Sequence, residues 1–429
     1  MSVKKFHNLA KKNLFPICRS ITGNGVRKTL YQIKKNFPKL KIYEKASQTK
    51  VFDWKVPPEW NIKNAFVIDK YGNKIIDFKL NNLHIINYSI PINKYVVKKE
   101  FFKHLYSLPN QPEAIPYITS YYQKYWGFCV THKQKLSFDK KYEPNDKFKI
   151  VINSNLNTKG NLTFGELILR GKTKQEILIS TYICHPSMAN NELSGPIVSM
   201  SLINYFLKKK NLKKTIRFLF IPETIGSISY LSTNLDHLKK NVIAGFNLSC
   251  LGDDRTHSFM TTKYGDTLSD KVIIKAYKKL KIKYKKFSFL DRGSDERQYN
   301  SPGIDLPIAS IFRTKYGEYP EYHTSLDNFD LVSIKGLTGG FNVTRTAINL
   351  LLDMVIPKTS ILCEPHMSKR KLYPSLSTKN TNKMVRNYMN FIQYADGKND
   401  LDQISQFINL KLKEVKKIYK LLKRKKVIE

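Results

Sequence analysis

The chain has few acidic side chains, five scattered cysteines and no long apolar run, and each shortage narrows what it can be. Among 429 residues, 34 Asp and Glu face 74 Lys and Arg, a formal net charge of +40. The excess is mostly lysine, spread along the chain beside many Asn and Ile. Base-edge readers rely on arginine for bidentate contacts, so nucleic acid is not the expected main partner. Weak, nonspecific attraction to polyanions still follows from the charge. Cys18, Cys129, Cys184, Cys250 and Cys363 form no C-x-x-C pair. That spacing argues against a disulfide framework or a zinc knot, and for free thiols in a reducing cytoplasm. No apolar run reaches the roughly 18 residues that cross a bilayer, so no membrane partner is expected. The start, MSVKKFHNLAKKNLFPICRS, is basic but lacks the apolar stretch of a secretory signal.

A hydrophobic fraction of 41% with 12% aromatics is ample for globular cores, and the length suits two or three domains. From residue 150 to about 354, apolar runs alternate with amphipathic segments. EILISTYIC (176–184), TIRFLFIPE (215–223), NVIAGFNLSCLG (241–252) and LPIASIFRT (306–314) are nearly continuous apolar runs, the pattern of strands buried on both faces. GPIVSMSLINYFLKKK (195–210), with Pro196 in its first turn, and TLSDKVIIKAYKKLK (267–281) read as helices between them,. The expected class is α/β, a mostly parallel sheet covered by helices.

Two flanking regions differ. Residues 49–145 hold Trp54, Trp60 and Trp126 and a hairpin signal in AFVIDKYGNKIIDFKL (65–80), so a strand-rich small domain is expected there. The helix pattern VRKTLYQIKKNF (26–37) belongs with the main domain, which would then be discontinuous, 1–48 and 146–360, around the insertion. After a Pro/Ser/Lys-rich linker (361–383), residues 366–429 read as a helix-turn-helix outline with a wing. Ile404, Phe407, Val415, Ile418 and Leu422 recur at helical spacing toward one small core,. Its last helix is rich in lysine but lacks the Arg, Asn and Gln set of a base reader, which favours a docking module.

His185, Glu223, Asp253 and His323 fall at or beyond the carboxyl ends of predicted strands, where an open parallel sheet forms a ligand crevice. Five ordered stretches carry a resemblance: CHPSMANNELSGP (184–196), IPETIGSISYLS (221–232), LGDDR (251–255), RGSDERQYNSPGIDLP (292–307) and KYGEYPEYHTSLDN (315–328). Together they resemble the zinc-dependent exopeptidases of the aminopeptidase and glutamate-carboxypeptidase superfamily. They resemble more closely a bacterial aminopeptidase-like branch with an inserted small domain and a C-terminal winged helix.

That resemblance implies His185 as the first zinc-ligating histidine, His323 as the last and Glu223 as the general base. It also exposes departures. Asn191 stands where a bridging aspartate is expected, Thr224 where a glutamate follows the base, and Ser249 where another aspartate belongs. Two zinc ions need bridging carboxylates to offset their charge, so one ion is expected rather than two. His185 and His323 would hold it, with Asp253 or Glu223 supplying an oxygen. The alternative for Glu223 is an acid at a helix N-terminus. Asp295, Glu296 and Arg297 either brace a loop, or bind substrate, an amine at Asp295 or Glu296 and an anion at Arg297. Cys184 and Cys250 flank the site as buried fillers.

The expected activity is hydrolysis of an amide bond in a small peptide or an aminoacylated or acylated small molecule. The sugar option comes from the resemblance, whose branch is associated with surface-polysaccharide metabolism. The rival reading is a non-catalytic ligand-binding scaffold that signals through the winged-helix module. A homo-oligomer is compatible with either.

Overall fold

The computed structural model describes residues 2–373 and 379–429, the side chains of 379–382 excepted. Residues 374–378, within the expected linker, lie outside the described residues. Two compact units result, Met1–Ala347 and Ile348–Glu429.

The first unit is built on an eight-stranded sheet. Its strands in chain order are β1 (Lys41–Ala46), β2 (Asn161–Leu169), β3 (Glu176–Tyr182), β4 (Thr215–Ile221), β5 (Val242–Leu248), β6 (Ser258–Met260), β7 (Lys285–Phe287) and β8 (Ile308–Phe312). Their spatial order is β1-β2-β4-β3-β5-β8-β6-β7. The central four, β4, β3, β5 and β8, run parallel, and these are the four continuous apolar runs. One row of paired residues crosses them, Phe218–Ile179–Phe246–Ala309, all fully buried. Antiparallel pairings of β1 with β2, β2 with β4, and β6 with β8 flank this centre. The sheet is therefore mixed. The short strands β6 and β7 at one end of the sheet carry too little periodicity to be read from sequence.

Helix Ser194–Phe206 is buried continuously from Ser194 to Ile203, because it lies under the sheet and against helix Ser2–Leu9. An amphipathic stripe would be wrong there; GPIVSMSLI is apolar or small on every side. Gly195 is required by close approach. A Cβ at that position would run into Thr181 Oγ1 and the Leu248 carbonyl oxygen.

The strand-rich region forms a four-stranded antiparallel sheet in the order Lys74–Asp77, Glu59–Ile68, Lys147–Asn157, Ile92–Val97. Its core gathers Val67, Phe101, Trp126, Phe128, Phe148 and Ile150. The hairpin expected at 65–80 is present, with Gly72 at φ +83° in its turn, a value that favours glycine. The long strand Lys147–Asn157 begins beyond the boundary expected at 145, since Phe148, Ile150 and Ile152 alternate inward along it.

In the second unit, helices Lys379–Tyr394, Leu401–Phe407 and Leu412–Arg424 enclose a small core that includes Phe391, Ile404, Val415, Ile418 and Leu422. Phe407 departs from the expected core set: it is 53% exposed and stacks on Tyr394. It ends its short helix, so its side chain faces outward. No helix among the described residues is long and apolar enough to cross a membrane.

The close helix-sheet approach predicts the effect of Gly195→Ala. Forcing one methyl into this contact should cost about 1–3 kcal/mol, read as a lower denaturant midpoint with an unchanged slope.

Candidate active site

β3 ends at Tyr182 and His185 follows three residues on; β4 ends at Ile221 and Glu223 follows two residues on. The loop after β8 carries His323. These segments meet. The His185 and His323 ring centroids are 5.4 Å apart, and His185 Nε2 lies 3.6 Å from Glu223 Oε2.

The far side of the His185 ring is anchored. Nδ1 donates to Glu192 Oε2 at 2.9 Å, and Glu192 Oε1 lies 3.4 Å from Nε of Arg19. Arg19 also donates from Nε to the His185 carbonyl at 2.9 Å. Arg19 and Glu192 are fully buried. A carboxylate can only accept, so Nδ1 carries a proton, and Nε2 faces Glu223 and His323. Burial opposes charge on His185, but the Cys184 sulfur and the Glu192 carboxylate favour it and hold its pKa well above that of a free imidazole. Burial, with His185 adding to it, pushes His323 down to about 3, so that ring is neutral. Its nitrogens have no hydrogen-bond partner among the described residues, and its backbone sits at φ +56°. Burial raises Glu223 above an ordinary carboxylate against the pull of His185, Ser294 and Arg297.

Asp327 ties the two histidine loops together. Its carboxylate accepts the backbone N–H groups of Ala189 at 3.0 Å, Asn190 at 2.5 Å and Asn191 at 2.9 Å, and the Tyr319 hydroxyl at 3.0 Å. The Asn190-Asn191-Glu192 turn that follows His185 is thus fixed from the segment that follows His323. Within that turn, Asn191 Nδ2 donates to the Tyr182 hydroxyl at 2.9 Å, while its Oδ1 is buried without a partner.

The aromatic wall comes from elsewhere. Tyr117 places its ring 5.3 Å from each imidazole, edge-on, and Tyr322 stacks on His323 at 3.8 Å. Tyr117 arrives on a segment that pairs with the His323 loop through Tyr117 N–H to the His323 carbonyl and Ser325 N–H to the Ile115 carbonyl, both 2.9 Å.

Several expected site residues sit outside this group. Asp253 is fully buried and spends its oxygens on Thr314 N (3.0 Å), Thr314 Oγ1 (2.6 Å), Asn190 Nδ2 (3.2 Å) and Arg255 N (3.0 Å). It braces the loop after β5, with both oxygens engaged by hydrogen bonds. Glu296, fully buried, accepts from Gly293 N, Ser294 N, Tyr316, Ser310 and Asn247, which leaves it nothing to offer a substrate amine. Asp295 is likewise fully buried, and its Oδ1 accepts from Thr224 N at 2.7 Å and Ser227 Oγ at 2.8 Å. Arg297 donates to the Ser294 carbonyl and to Thr224 Oγ1, each at 3.0 Å. Hydrogen bonds thus tie all three side chains to neighbouring loop and turn residues, while Asp295 Oδ2 is buried without a partner.

Cys184, His185 and Glu192 place ligand atoms within 4.8 Å of one another. They surround the Nδ1 side of the ring, where Arg19 already balances Glu192. Burial pushes the Cys184 thiol up to about 11, so its sulfur stays protonated and accepts the Glu223 N–H at 3.2 Å.

Fold and site together define an aminopeptidase-like α/β protein. The zinc aminopeptidase BSAP of Bacillus subtilis has a similar fold, with a TM-score of 0.61 at 14% identity over 81% of this chain and 94% of its own. An M28 peptidase precursor of Shewanella amazonensis gives 0.55 at 10% over 85% and 97%. The chain belongs to the family described as a domain of unknown function, DUF4910, which matches residues 7–353, and a winged helix-turn-helix matches 355–429. A Clostridium acetobutylicum protein, named a candidate polysaccharide biosynthesis protein with an aminopeptidase-like domain, is 41% identical over 417 residues, 96% of this chain and 93% of its own. A crystal structure of a candidate peptidase from the same organism superposes with a TM-score of 0.79 at 39% identity, covering 100% of this chain and 96% of its own.

Asp327→Ala should strip the buried Asn190 and Asn191 amides and the Tyr319 hydroxyl of the carboxylate they share, while the Ala189 N–H keeps the Asp327 backbone carbonyl at 2.9 Å. Each orphaned donor costs about 1–3 kcal/mol, so a loss of about 3 kcal/mol or more in unfolding free energy is expected. Urea denaturation reads it directly.

Proposed function

We propose that this chain is a metal-dependent hydrolase that cleaves an amide bond in a small substrate, using one divalent ion, zinc, and Glu223 as general base. The observation that carries the reading is the convergence of two imidazoles and one carboxylate, with rings 5.4 Å apart and Nε2 of His185 3.6 Å from Glu223.

The donor types suit a single borderline cation. His185 offers Nε2, with its other nitrogen engaged by a carboxylate as metal-binding histidines usually have it. The environment that favours positive charge on His185 suits a cation at Nε2 as well as it suits a proton. His323 offers a neutral ring with unengaged nitrogens. The site does not fit two ions. Asn191, Thr224 and Ser249 are neutral, and the Asn191 amide nitrogen is turned to the Tyr182 hydroxyl. Its unpartnered Oδ1 is the one neutral acceptor left in that turn for an ion or a water.

Zinc bound there supplies Lewis acidity toward a carbonyl and toward water. Glu223 takes up the proton released by the attacking water and delivers it to the leaving amine; its raised pKa suits both halves of that transfer,. Glu192 and Arg19 hold His185 in one tautomer. Tyr117 and Tyr322 wall the histidines and limit water around them. Aromatic walls accept the apolar face of a sugar ring as readily as an aliphatic side chain, so an acylated or aminoacylated sugar stands beside a peptide as substrate.

Elemental analysis of untagged protein should find about one zinc per chain, lost in the double variant His185→Ala/His323→Ala. Glu223→Gln should keep the ion while hydrolysis of aminoacyl amides or N-acyl amino sugars falls about 10²–10⁴-fold. A folded chain that binds no metal and hydrolyses none of these would leave the scaffold reading in its place.

A further inference from the structure

Glu223 is presented by an unusual piece of backbone. Thr224 sits at φ +62° and ψ −78°, and the Ile225 N–H closes back on the Glu223 carbonyl at 2.8 Å. This is a γ-turn of the rare left-handed kind, strained for any residue and more so for a β-branched one. Such a turn persists only where its surroundings over-determine it.

The surroundings here are four consecutive residues from a distant stretch of chain. Ser294 Oγ donates to Glu223 Oε1 at 2.5 Å. Asp295 Oδ1 accepts the Thr224 N–H at 2.7 Å and the Ser227 hydroxyl at 2.8 Å. Arg297 Nη2 donates to Thr224 Oγ1 at 3.0 Å. Glu296 roots the segment in the sheet through Asn247 of β5 and Ser310 of β8. Side chain, amide and hydroxyl of the Glu-Thr pair are thus each held by a different residue of Ser-Asp-Glu-Arg.

We propose that Ser294, Asp295 and Arg297 act as positioning residues, a clamp that keeps the Glu223–Thr224 turn in its strained form and so aims the Glu223 carboxylate at His185 Nε2. Without the clamp the turn relaxes toward negative φ and the carboxylate swings away. The role of Glu223 as base belongs to the reading above; the clamp itself is a statement about backbone geometry and is tested independently of activity.

The test compares Asp295→Asn with Asp295→Ala in the full chain, alone and with Thr224→Gly. Asparagine keeps an acceptor at the Oδ1 position, whereas alanine removes it. Glycine adopts positive φ without strain, so it removes what the clamp opposes. Crystal structures should show Thr224 still at positive φ in Asp295→Asn, but at negative φ in Asp295→Ala with the Ser294–Glu223 contact broken. The loss of thermal midpoint on Asp295→Ala should be smaller when Thr224 is glycine. Where hydrolysis is measurable, kcat should fall about 100-fold in Asp295→Ala, as misplacement of a catalytic group by an ångström predicts. KM and zinc content should hold. Retention of the left-handed turn in Asp295→Ala, or an Asp295→Asn variant that behaves like Asp295→Ala, overturns the clamp. Absence of hydrolysis in the unaltered protein overturns only the function of Glu223, since structure and thermal midpoint still report on the turn.

Discussion

Three consecutive amides after His185 point into one carboxylate, and that carboxylate follows His323 by four residues. Asp327 is therefore the joint between two loops that the chain separates by more than a hundred positions. Buried N–H groups must find acceptors, and a single anionic oxygen pair satisfying several of them is among the stronger arrangements available. Burial pushes Asp327 up to about 6 against the pull of those amides. Everything else at the site is arranged around this joint. It sets the turn from which Glu192 reaches back to His185, and it restrains the loop on which His323 takes a positive φ.

Charge is distributed unevenly across the site. The Nδ1 side of His185 holds a buried Arg19–Glu192 pair, where each charge answers the other. The Nε2 side holds Glu223, a neutral His323 and hydroxyls. Thr224, Cys250 and His323 are among the residues that take positive φ. Such residues are held by fixed partners rather than by local preference.

The parallel centre of the sheet was legible because β3, β4, β5 and β8 are buried on both faces and read as unbroken apolar runs. The short flanking strands were not, since three residues carry no period. His185, Glu223 and His323 stood out because histidine or glutamate just past a buried strand is chemically conspicuous. Arg19, Glu192, Tyr117, Ser294 and Asp327 did not, though Glu192, Ser294 and Asp327 lay inside motifs already singled out. Their partners are mostly far along the chain, 71 residues for Ser294–Glu223, 137 for Asp327–Asn190 and 166 for Arg19–His185, and nothing local distinguishes an arginine that will be buried from one that will be solvated. Asp253 sits at the right strand end, and Thr314 and Asn190 engage its oxygens there. For Ser-Asp-Glu-Arg the choice between bracing a loop and meeting a substrate turned on burial, which charge alone does not reveal.

Sequence by itself determined the class of the fold, the helix-turn-helix at the C-terminus, and the chemical inventory of the site: two histidines, one glutamate, and neutral residues where acids were expected. The fold class and the helical module follow from composition and from periods of two to four residues, which local sterics and hydrophobic burial impose; the site inventory and its missing acids are what the motif resemblance implied. Only the tertiary structure decided which carboxylates face the imidazoles and which are consumed as braces. That choice depends on hydrogen bonds closed between loops far apart in the chain, and such bonds leave no periodic trace along it.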